Sequence, residues 1–572
     1  MKRLIVGVFV ATILAVWSVP ALAAVEFGGQ IKIRGEIRDN VNYSKNYDGV
    51  IVPNYDFFGP PTSWFEIINN SADPIYNFER VLDYIFENPE DTFDRFGRWI
   101  GSGDLEASYD DEDQAAIAQR VRLWAVARPT DDTTIKITIQ DTREWGVNGS
   151  RDPNGGPWLT DENNGSCIHR HSDDPDDYVS GNLFELLGGD TGDFRNTGED
   201  EHCNGLDIHE SWVKIDDLLG FEGLSVKAGR QELNYGDQRL IGSFDWSDFG
   251  RSFDAVKLTY NSDNVDVDLF ASKLADQTAG FLNSGDTNDR DQDFYGIYAT
   301  IKMIPNNELD LYALWLRDTS NNQFVFNNSG RIASTFILPG MIDKTQNLYT
   351  FGARLKGALA GIDYSFELPV QTGSIDTTGT DYDISAWAFA AKFGYTLPIP
   401  QHIRVGFEYN FASGDDDYAD SDIETFSNLF PSNHGHMGNM DQQGWRNMEG
   451  MGFTVAWEAL SNLELHAAYW LFKLAEEEDA WYGAEHWMDV PADGTLRGAR
   501  GWATKYLSFM QSVPSDKDVG TELDLVAHYK YNKSITVEAG ASAFFSDDYI
   551  EDYYYGNDDY QSFGFVELTA NF

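Results

Sequence analysis

The feature that most constrains the fold of this chain is an alternation of apolar and charged residues with a period of two. In the run at residues 31–38, the apolar positions are Ile31, Ile33 and Ile37, and the charged positions between them are Lys32, Arg34, Glu36 and Arg38. Successive side chains of a β-strand point to opposite faces, so such a run has one apolar and one charged face. A membrane barrel places the apolar face against lipid and the polar face along a wet lumen. A soluble sandwich instead needs two apolar inner faces.

Eighteen runs with this alternation are predicted to be strands, an even number as expected for a bacterial barrel. They cover residues 25–38, 117–128, 133–145, 206–216, 222–233, 253–261, 264–274, 292–303, 307–318, 346–357, 360–372, 383–397, 401–413, 448–459, 461–473, 518–531, 533–546 and 559–572. The predicted fold class is therefore all-β, an 18-stranded antiparallel transmembrane β-barrel with short periplasmic turns and long extracellular loops.

The lengths of the connections support the same class. Tight turns are predicted at Pro129 to Asp132, Asn261 to Asn264, Ile304 to Asn307, Pro398 to Pro400 and around Asn532. Between them lie long connections, at residues 39–116, 146–205, 234–252, 275–291, 319–345, 414–447 and 474–517. Barrels have short periplasmic turns and longer external loops, with both termini periplasmic. Only around residues 39–145 is the alternation of short and long connections imperfect.

The two ends of the chain predict export and insertion into a membrane. Residues 1–23 have a basic start at Lys2 and Arg3, an apolar run, and a small-residue cleavage site that ends at Ala23, as in a secretory signal peptide. We expect residues 24–572 to form the barrel. The last strand alternates up to a terminal Phe572, which is typical of the closing strand of outer-membrane barrels. These ends predict the outer membrane of a Gram-negative cell, with lipid and lipopolysaccharide as surroundings.

Charge and hydropathy exclude two other classes of protein. The formal net charge is −52, the opposite sign from that of a nucleic-acid binder. The mean hydropathy is −0.41, and after residue 23 no stretch is apolar for the ~20 residues that a spanning helix needs. The acidic residues are concentrated in a few segments, such as 110–113, 173–177 and 476–479, which we interpret as solvated loops.

Three groups of motifs resemble those of the alginate export (AlgE-like) barrel family. The first is Gly229-Arg230-Gln231-Glu232-Leu233 with Tyr235-Gly236-Asp237, Arg239-Leu240 and Gly250-Arg251-Ser252-Phe253-Asp254. The second is Ala412-Ser413-Gly414-Asp415 with Thr425-Phe426, Leu429-Phe430-Pro431, His434, Gly438 and Asp441, and the third is Gly520-Thr521-Glu522-Leu523-Asp524-Leu525 with Glu538-Ala539-Gly540 and Phe544-Phe545. They run in order from about residue 206 to the end of the chain. The resemblance implies an 18-stranded outer-membrane barrel with a charged pore, which in the type member passes a polyuronate.

The resemblance also implies that lumenal arginines and lysines attract an anionic polymer. The corresponding residues here are Arg230, Arg239 and Arg251. Alternation adds Lys32, Arg34, Arg120, Arg122, Lys136, Lys214, Lys227, Lys257, Arg354, Lys356 and Arg404. The guanidinium group offers paired donors to a carboxylate and stays charged at any working pH. The alternative is a generic porin lumen, in which such arginines face carboxylates across the pore.

Acidic residues occupy lumenal positions of the same strands. They are Asp266, Asp268, Glu367, Glu408, Glu458, Glu464, Glu522, Asp524 and Glu538. The lumen is therefore expected to be zwitterionic, and acidic loops would repel an entering polyanion. We expect passive diffusion of a polar, saccharide-like solute, with an anionic saccharide as one candidate, and neither a cofactor nor an enzymatic activity.

Two further clusters leave alternatives open. Cys167 and Cys203 are the two cysteines of the chain, and we expect them to form a disulfide in an exported protein. With His169, His171 and His202 they would instead suit zinc. The acidic run at residues 415–417, with Asp420 and Asp422, is either a solvated loop bridged to lipopolysaccharide or a calcium site.

Other functions and one gating element also remain open. The main alternative to a channel is a scaffold barrel around a periplasmic partner, such as an electron carrier or a secretion component. A hydrolase at the rim, built on Ser413, His434 and His436, is a third hypothesis. The connection at 39–116, with the aromatic residues Trp64, Phe93, Phe96 and Trp99, is predicted to fold inward as a plug or lid.

Overall fold

A computed structural model shows a single antiparallel sheet that closes into a barrel of eighteen long strands. It describes residues 25–39, 114–145, 205–276, 291–319, 344–377, 381–400, 402–416, 420–477, 479, 481–483, 516–553 and 560–572. The predicted disulfide (Cys167 and Cys203), the histidines grouped with it and the aromatic residues of the predicted plug lie outside these ranges.

The strands follow the predicted order with only small differences at their ends. They are β1 (Val25–Asp39), β2 (Gln114–Thr130), β3 (Thr133–Glu144), β4 (Gly205–Ile215), β5 (Leu224–Gln231), β6 (Phe253–Asn261), β7 (Val265–Asp276), β8 (Asp291–Ile301), β9 (Asn307–Asp318), β10 (Lys344–Leu359), β11 (Ile362–Thr377), β12 (Asp381–Thr396), β13 (Ile403–Ala412), β14 (Asp422–Ile423), β15 (Met448–Leu460), β16 (Leu463–Lys473), β17 (Asp518–Lys530), β18 (Ile535–Ser546) and β19 (Tyr560–Asn571). The two-residue strand β14 pairs in parallel with β12 beyond the end of β13 and is not one of the eighteen wall strands. A short helix, α1 (Asp548–Tyr553), follows β18.

Pairing between the first and last strands closes the sheet. β1 pairs with β2 on one side and with β19 on the other, with Ile31 opposite Ala570 and Ile33 opposite Leu568 in the latter pair. The wall therefore has no open edge and all of its neighbouring strands are antiparallel. Closure satisfies the backbone hydrogen bonds that no water can satisfy within a bilayer. The predicted 18-stranded barrel is confirmed.

The connections are arranged as the sequence predicts. Eight connections of two to eight residues join strand pairs at the end where the described chain starts and stops, beginning with the turn between β2 and β3. Most connections at the opposite end are long, and only residues 378–380, between β11 and β12, form a short one. The end with the short turns is periplasmic by the usual asymmetry of barrels. The imperfect alternation near residues 39–145 does not change the strand count, because β1 and β2 pair directly.

The outer face of the wall is apolar. Val256, Leu269 and Leu525 each expose 53% of their surface, and the outward positions of the other strands have the same character. Aromatic rings form part of a girdle near the external end, where Trp315 stacks on Tyr295 and Tyr349 with ring centroids 5.0 and 5.7 Å apart. Such a surface is stable only against lipid. Among the described residues, no helix has both the length and the apolar character needed to cross a membrane.

Two connections that we expected to be external loops fold into the barrel instead. The first inserted segment is residues 232–252, between β5 and β6, and the second inserted segment is residues 424–447, between β14 and β15. The first contacts Arg120 on β2 and Arg354 on β10, strands that lie eight positions apart around the ring. One short segment can reach both strands only across the interior. The expectation of solvated external loops is therefore wrong for 234–252 and for most of 414–447.

The inserted segments give the external half of the lumen an apolar core. Phe430 packs edge-on against Phe253 and Phe294, with ring centroids 5.7 and 5.0 Å apart. Around them the inward residues of the wall are buried and apolar, among them Phe270, Leu348, Phe472 and Phe544. Beside the inserted segments, the inward side chains of the external half are therefore largely apolar, a distinction that period two alone does not reveal.

A charge on the lipid face should destabilise the barrel far more than the same charge in the lumen. We expect Leu525→Arg, at the outward middle of β17, to lower the free energy of unfolding by about 2–4 kcal/mol. The matched control is His528→Arg on the same strand, because His528 faces the lumen and pairs with Glu538 at 2.7 Å. Unfolding by urea in lipid vesicles measures both, and equal effects of the two substitutions would contradict the assigned faces.

Candidate functional site

The middle of the lumen is a layer of charged side chains that holds the first inserted segment. Arg120 on β2 donates to the Asp245 carboxylate at 2.9 Å and to the Ser247 carbonyl at 2.9 Å. Arg122 donates to the same Asp245 oxygen at 2.8 Å and to Gln140 on β3 at 2.7 Å. Both arginines are buried, so one carboxylate of the inserted segment compensates two guanidinium groups of the wall.

Trp246 fixes the same segment by stacking. The Arg34 guanidinium lies 4.1 Å from the centre of the Trp246 indole, and the His434 imidazole stacks on the indole at 3.6 Å. Arg34 also donates to the Trp246 carbonyl at 2.5 Å and lies 3.2 Å from Asp248. A desolvated cation over an aromatic face is worth about 2 kcal/mol. Because His434 belongs to the second inserted segment, this stack also joins the two segments.

A second set of ion pairs holds the first segment to the opposite part of the wall. Arg354 on β10 lies 2.5 Å from Asp237 and 2.8 Å from Asp310, and Ser365 on β11 donates to Asp237 at 2.8 Å. Arg239 pairs with Glu408 on β13, and both side chains are buried. Arginine forms such pairs well because its donors are fixed in a plane. The segment is thus tied to the wall on two sides.

The second inserted segment is held mainly through its backbone. The Met440 amide donates to Glu522 on β17 at 2.9 Å, and the Asn439 amide donates to Asp524 at 3.4 Å. On β11, Gln371 exchanges two hydrogen bonds with the backbone of Ser427, at 2.7 and 2.8 Å. Gly438 is needed for this approach because its φ is +89° and a Cβ there would lie 2.4 Å from a Glu522 oxygen.

The two inserted segments pair with each other like neighbouring strands. The Phe430 amide donates to the Leu240 carbonyl at 2.9 Å, and the Gly242 amide donates to the Phe430 carbonyl at 2.8 Å. Arg251 adds a hydrogen bond to the Pro431 carbonyl at 2.9 Å. The segments therefore form one unit inside the barrel, fixed to strands on several sides.

The periplasmic part of the lumen is wetter and has charges of both signs. Lys136 pairs with Glu210, Lys257 pairs with Asp268 at 2.9 Å, and Arg404 pairs with Asp363 at 2.5 Å. Lys227 instead lies over the Trp212 ring, with its ammonium 4.3 Å from the ring centre. Across the ring of strands, the inward ionisable residues of β16 to β18 at this level include His466, His528, Glu464 and Glu538. This level therefore has a lysine-rich side and a side of histidine and glutamate.

The structure places the predicted pore residues in two groups, with Arg230 as the exception. In the middle layer or the inserted segments lie Arg34, Arg120, Arg122, Arg239, Arg251, Arg354, Glu408, Glu522 and Asp524, and at the periplasmic level lie Lys136, Lys227, Lys356 and Arg404. Arg230 belongs to neither group, because it sits opposite the exposed Ser211 and beside Asp254 and Asp207, at 3.7 and 3.9 Å, on the outward face of β5.

The residues that sequence analysis missed are those of the first inserted segment that bind the wall. Asp237 lies in one of the recognised motifs, but nothing in the motif indicates that Arg354, more than a hundred residues away, is its partner. Asp245 and Trp246 belong to none of the recognised motifs. A usable signal was the presence of Leu240, Ile241 and Trp246 in a connection expected to be solvated.

The remaining predicted sites are not assembled in the described part of the chain. There, no group of three or more His, Cys, Asp or Glu side chains has a geometry that could hold a metal ion. Asp415 is buried and its amide donates to Asp479 at 3.1 Å, while Asp417 lies outside the described residues. Ser413 donates to the Glu424 carbonyl at 2.6 Å and His434 pairs with Asp441 at 2.8 Å, so these two candidates for a hydrolase have other partners.

The electrostatic environment of Asp237 determines how the first inserted segment responds to acid. Burial opposes ionisation, but the hydrogen bond and the charge of Arg354 outweigh burial and hold the pKa of Asp237 well below its usual range. The pKa of Asp237 is lower in the folded protein than in the unfolded chain, where it is near 3.9. The ionised carboxylate therefore stabilises the folded protein fully above pH 3.9, and this stability is lost only as the pH falls through the folded pKa. We expect amide-exchange protection of residues 238–243, corrected for intrinsic rates, to be unchanged between pH 7 and pH 5. Loss of protection near pH 6 would contradict this assignment.

Removal of the Asp237 charge should loosen the first inserted segment. In Asp237→Asn the buried Arg354 loses one carboxylate, and we expect the free energy of local opening at residues 238–243 to fall by about 2 kcal/mol. Hydrogen exchange at pH 7 measures the effect. The control is Asp216→Asn, which removes a carboxylate paired with Lys214 near an exposed turn at 2.7 Å. Equal protection in both variants would show that the Asp237 pair does not hold the segment.

One family model matches most of the chain, and several solved structures are similar to it. Residues 106–557 match the family model described as Alginate export. Among solved structures, OccK11 (OpdR) of Pseudomonas aeruginosa is similar at 9% identity and a TM-score of 0.42, covering 95% of each chain. OpdL of the same organism has 7% identity and a TM-score of 0.46, covering 96% of this chain and 98% of its own. OccD3 (OpdP) has 11% identity and a TM-score of 0.45, covering 97% of this chain and 93% of its own. No curated protein sequence matches the chain.

Proposed function

We propose that this chain, an outer-membrane β-barrel that belongs to the alginate export family, is a channel through which a polar solute diffuses passively. The observation that supports this function best is the wet periplasmic level of the lumen, lined by ionisable side chains below the inserted unit. Lys227 and Lys356 have no carboxylate within 4 Å among the described residues and remain available to a solute.

The charges of the lumen favour a polar solute of saccharide type. The buried arginines of the middle layer are mostly used by the inserted segments, so the cations that a solute meets first are lysines. Lys227 over Trp212 combines a cation with an aromatic face, a pairing suited to a sugar ring with an acidic substituent. The glutamates of β16 to β18 oppose a dense polyanion. A saccharide of low charge density fits both sides of the lumen.

One observation favours a second function, that of a barrel that houses a periplasmic partner. The inserted unit places apolar side chains in the external half of the lumen, whereas the periplasmic level is lined by ionisable side chains. A partner that enters from the periplasm would meet these charged side chains below the inserted unit. Conductance distinguishes the two functions, because a housing barrel stays closed in the absence of its partner.

The channel should conduct in planar bilayers, and its ion selectivity should depend on the free lysines. We expect Lys227→Gln combined with Lys356→Gln to lower the chloride-to-potassium permeability ratio by roughly a factor of two, because two uncompensated cations leave the lumen. The matched control is Arg230→Gln, which removes a cation from the outward face and should leave the ratio unchanged. Reversal potentials in a potassium chloride gradient provide the measurement. A wild-type barrel that never conducts would contradict the channel and favour the housing barrel.

A further inference from the structure

A row of five charged side chains crosses the outward face of β5 to β9. In strand order they are Arg230, Asp254, Lys273, Asp293 and Arg317, and each stands directly opposite the next in the pairing of neighbouring strands. Side chains directly opposite each other in antiparallel strands lie on the same face, so the row shares the outward orientation of Arg230. The signs alternate, and both ends are arginines. Three cations therefore meet two carboxylates on the lipid side of the barrel.

The row rises to the external edge of the apolar wall at Arg317. This residue is ten positions beyond Asn307, the periplasmic start of β9. With a rise of ~3.3 Å per residue and a strand tilt of about 40°, Arg317 lies roughly 25 Å above that end, which is about the height of the apolar band of a barrel. The next outward residue below it is Trp315, which stacks on Tyr295 in the aromatic girdle. Arg317 is therefore at the level of the head groups of the outer leaflet.

Arg317 has unused donors at this level. The Asp293 carboxylate lies 3.3 Å from Nη1 of Arg317 and 2.9 Å from the Lys273 ammonium, so one carboxylate is shared by two cations. Within the described ranges, no hydrogen bond or ion pair engages Nε or Nη2 of Arg317. Asn347, opposite it on β10, is neutral, and its side-chain oxygen accepts from the Trp315 indole at 3.1 Å. Because 30% of the Arg317 side chain is exposed, an anion in the head-group layer can reach these donors.

Another outward row at the external end has the reverse composition. Lys473 on β16 stands between Glu449 on β15 and Asp518 on β17, and it pairs with Asp518. Lys473 faces outward because the adjacent Phe472 is buried in the lumen. Here two carboxylates flank one cation, whereas the row on β7 to β9 has two cations around one carboxylate. The row on β7 to β9 therefore favours an anion, and the row on β15 to β17 favours a cation.

We propose that Arg317, with Lys273 beside it, binds a phosphate of lipid A, the anionic lipid of the outer leaflet, directly and without a bridging divalent cation. The guanidinium group offers parallel donors to phosphate oxygens. Lys273 contacts the same Asp293 carboxylate and so adds a second positive charge nearby. The aromatic rings directly below suit the boundary between head groups and acyl chains. The occupant belongs to the membrane in which the barrel lies, so the proposal does not depend on the solute of the channel.

Binding of lipid A to the purified protein in detergent tests the site, with the complexes counted by native mass spectrometry. We expect lipid A to remain bound in EDTA, because the contact needs no divalent cation. Arg317→Gln keeps hydrogen-bonding capacity but removes the charge, and its Kd for lipid A should rise by roughly a factor of five or more through loss of a charge-assisted pair of bonds. The matched control is Lys473→Gln, which removes an outward cation from the acidic row and should leave the Kd unchanged.

Asp293→Asn tests the same site in the opposite direction and covers the case in which Arg317→Gln does not fold. It removes the carboxylate that two cations share, so the Kd for lipid A should fall by roughly a factor of two to three. Loss of the complex in EDTA would show bridging by divalent ions and overturn the proposal, as would a Kd that neither substitution changes. Equal affinity for dephosphorylated lipid A, or displacement of lipid A by inorganic phosphate, would also overturn it. The test does not involve conductance, so its failure is separate from that of the channel.

Discussion

A bilayer contains no water to satisfy backbone hydrogen bonds, and this constraint determines the architecture of the chain. The sheet must close, which it does through the pairing of β1 with β19. Closure and lipid together require apolar side chains outside, such as Val256 and Leu525. Most charged side chains of the strands then lie toward the interior. The concentration of ionisable groups in the lumen is thus a consequence of the membrane before it is a feature of any transport function.

Charged side chains in the interior need counter-charges, and the two inserted segments supply many of them. Asp245 neutralises Arg120 and Arg122, and Asp237 lies against Arg354. Removal of one carboxylate leaves a buried guanidinium with less counter-charge and costs more than the loss of an exposed pair. The charges that would make an open pore attractive to an anion are therefore used largely for internal structure. Among the described residues, those that we propose are left for a solute are the periplasmic lysines Lys227 and Lys356.

The inserted unit also explains why the inner face changes character along the barrel axis. In the external half it packs against apolar rings such as Phe253 and Phe294, and in the middle it meets arginines and carboxylates. An inward residue of the wall is apolar or charged according to the part of the inserted unit that it faces. This principle assigns Glu522 and Asp524 a role as acceptors for backbone amides of the second inserted segment rather than as free pore charges.

The sequence by itself determined the class of fold and the order and approximate ends of the strands. It could do so because strand periodicity and connection length are local properties that the membrane imposes on each segment. The outward position of Arg230, the inward folding of 232–252 and 424–447, and the pairing of Arg354 with Asp237 were decided only in the tertiary structure. These features depend on contacts between residues far apart along the chain. The alternating pattern shows that a strand residue faces the lumen, but it does not show which segment that residue will contact there.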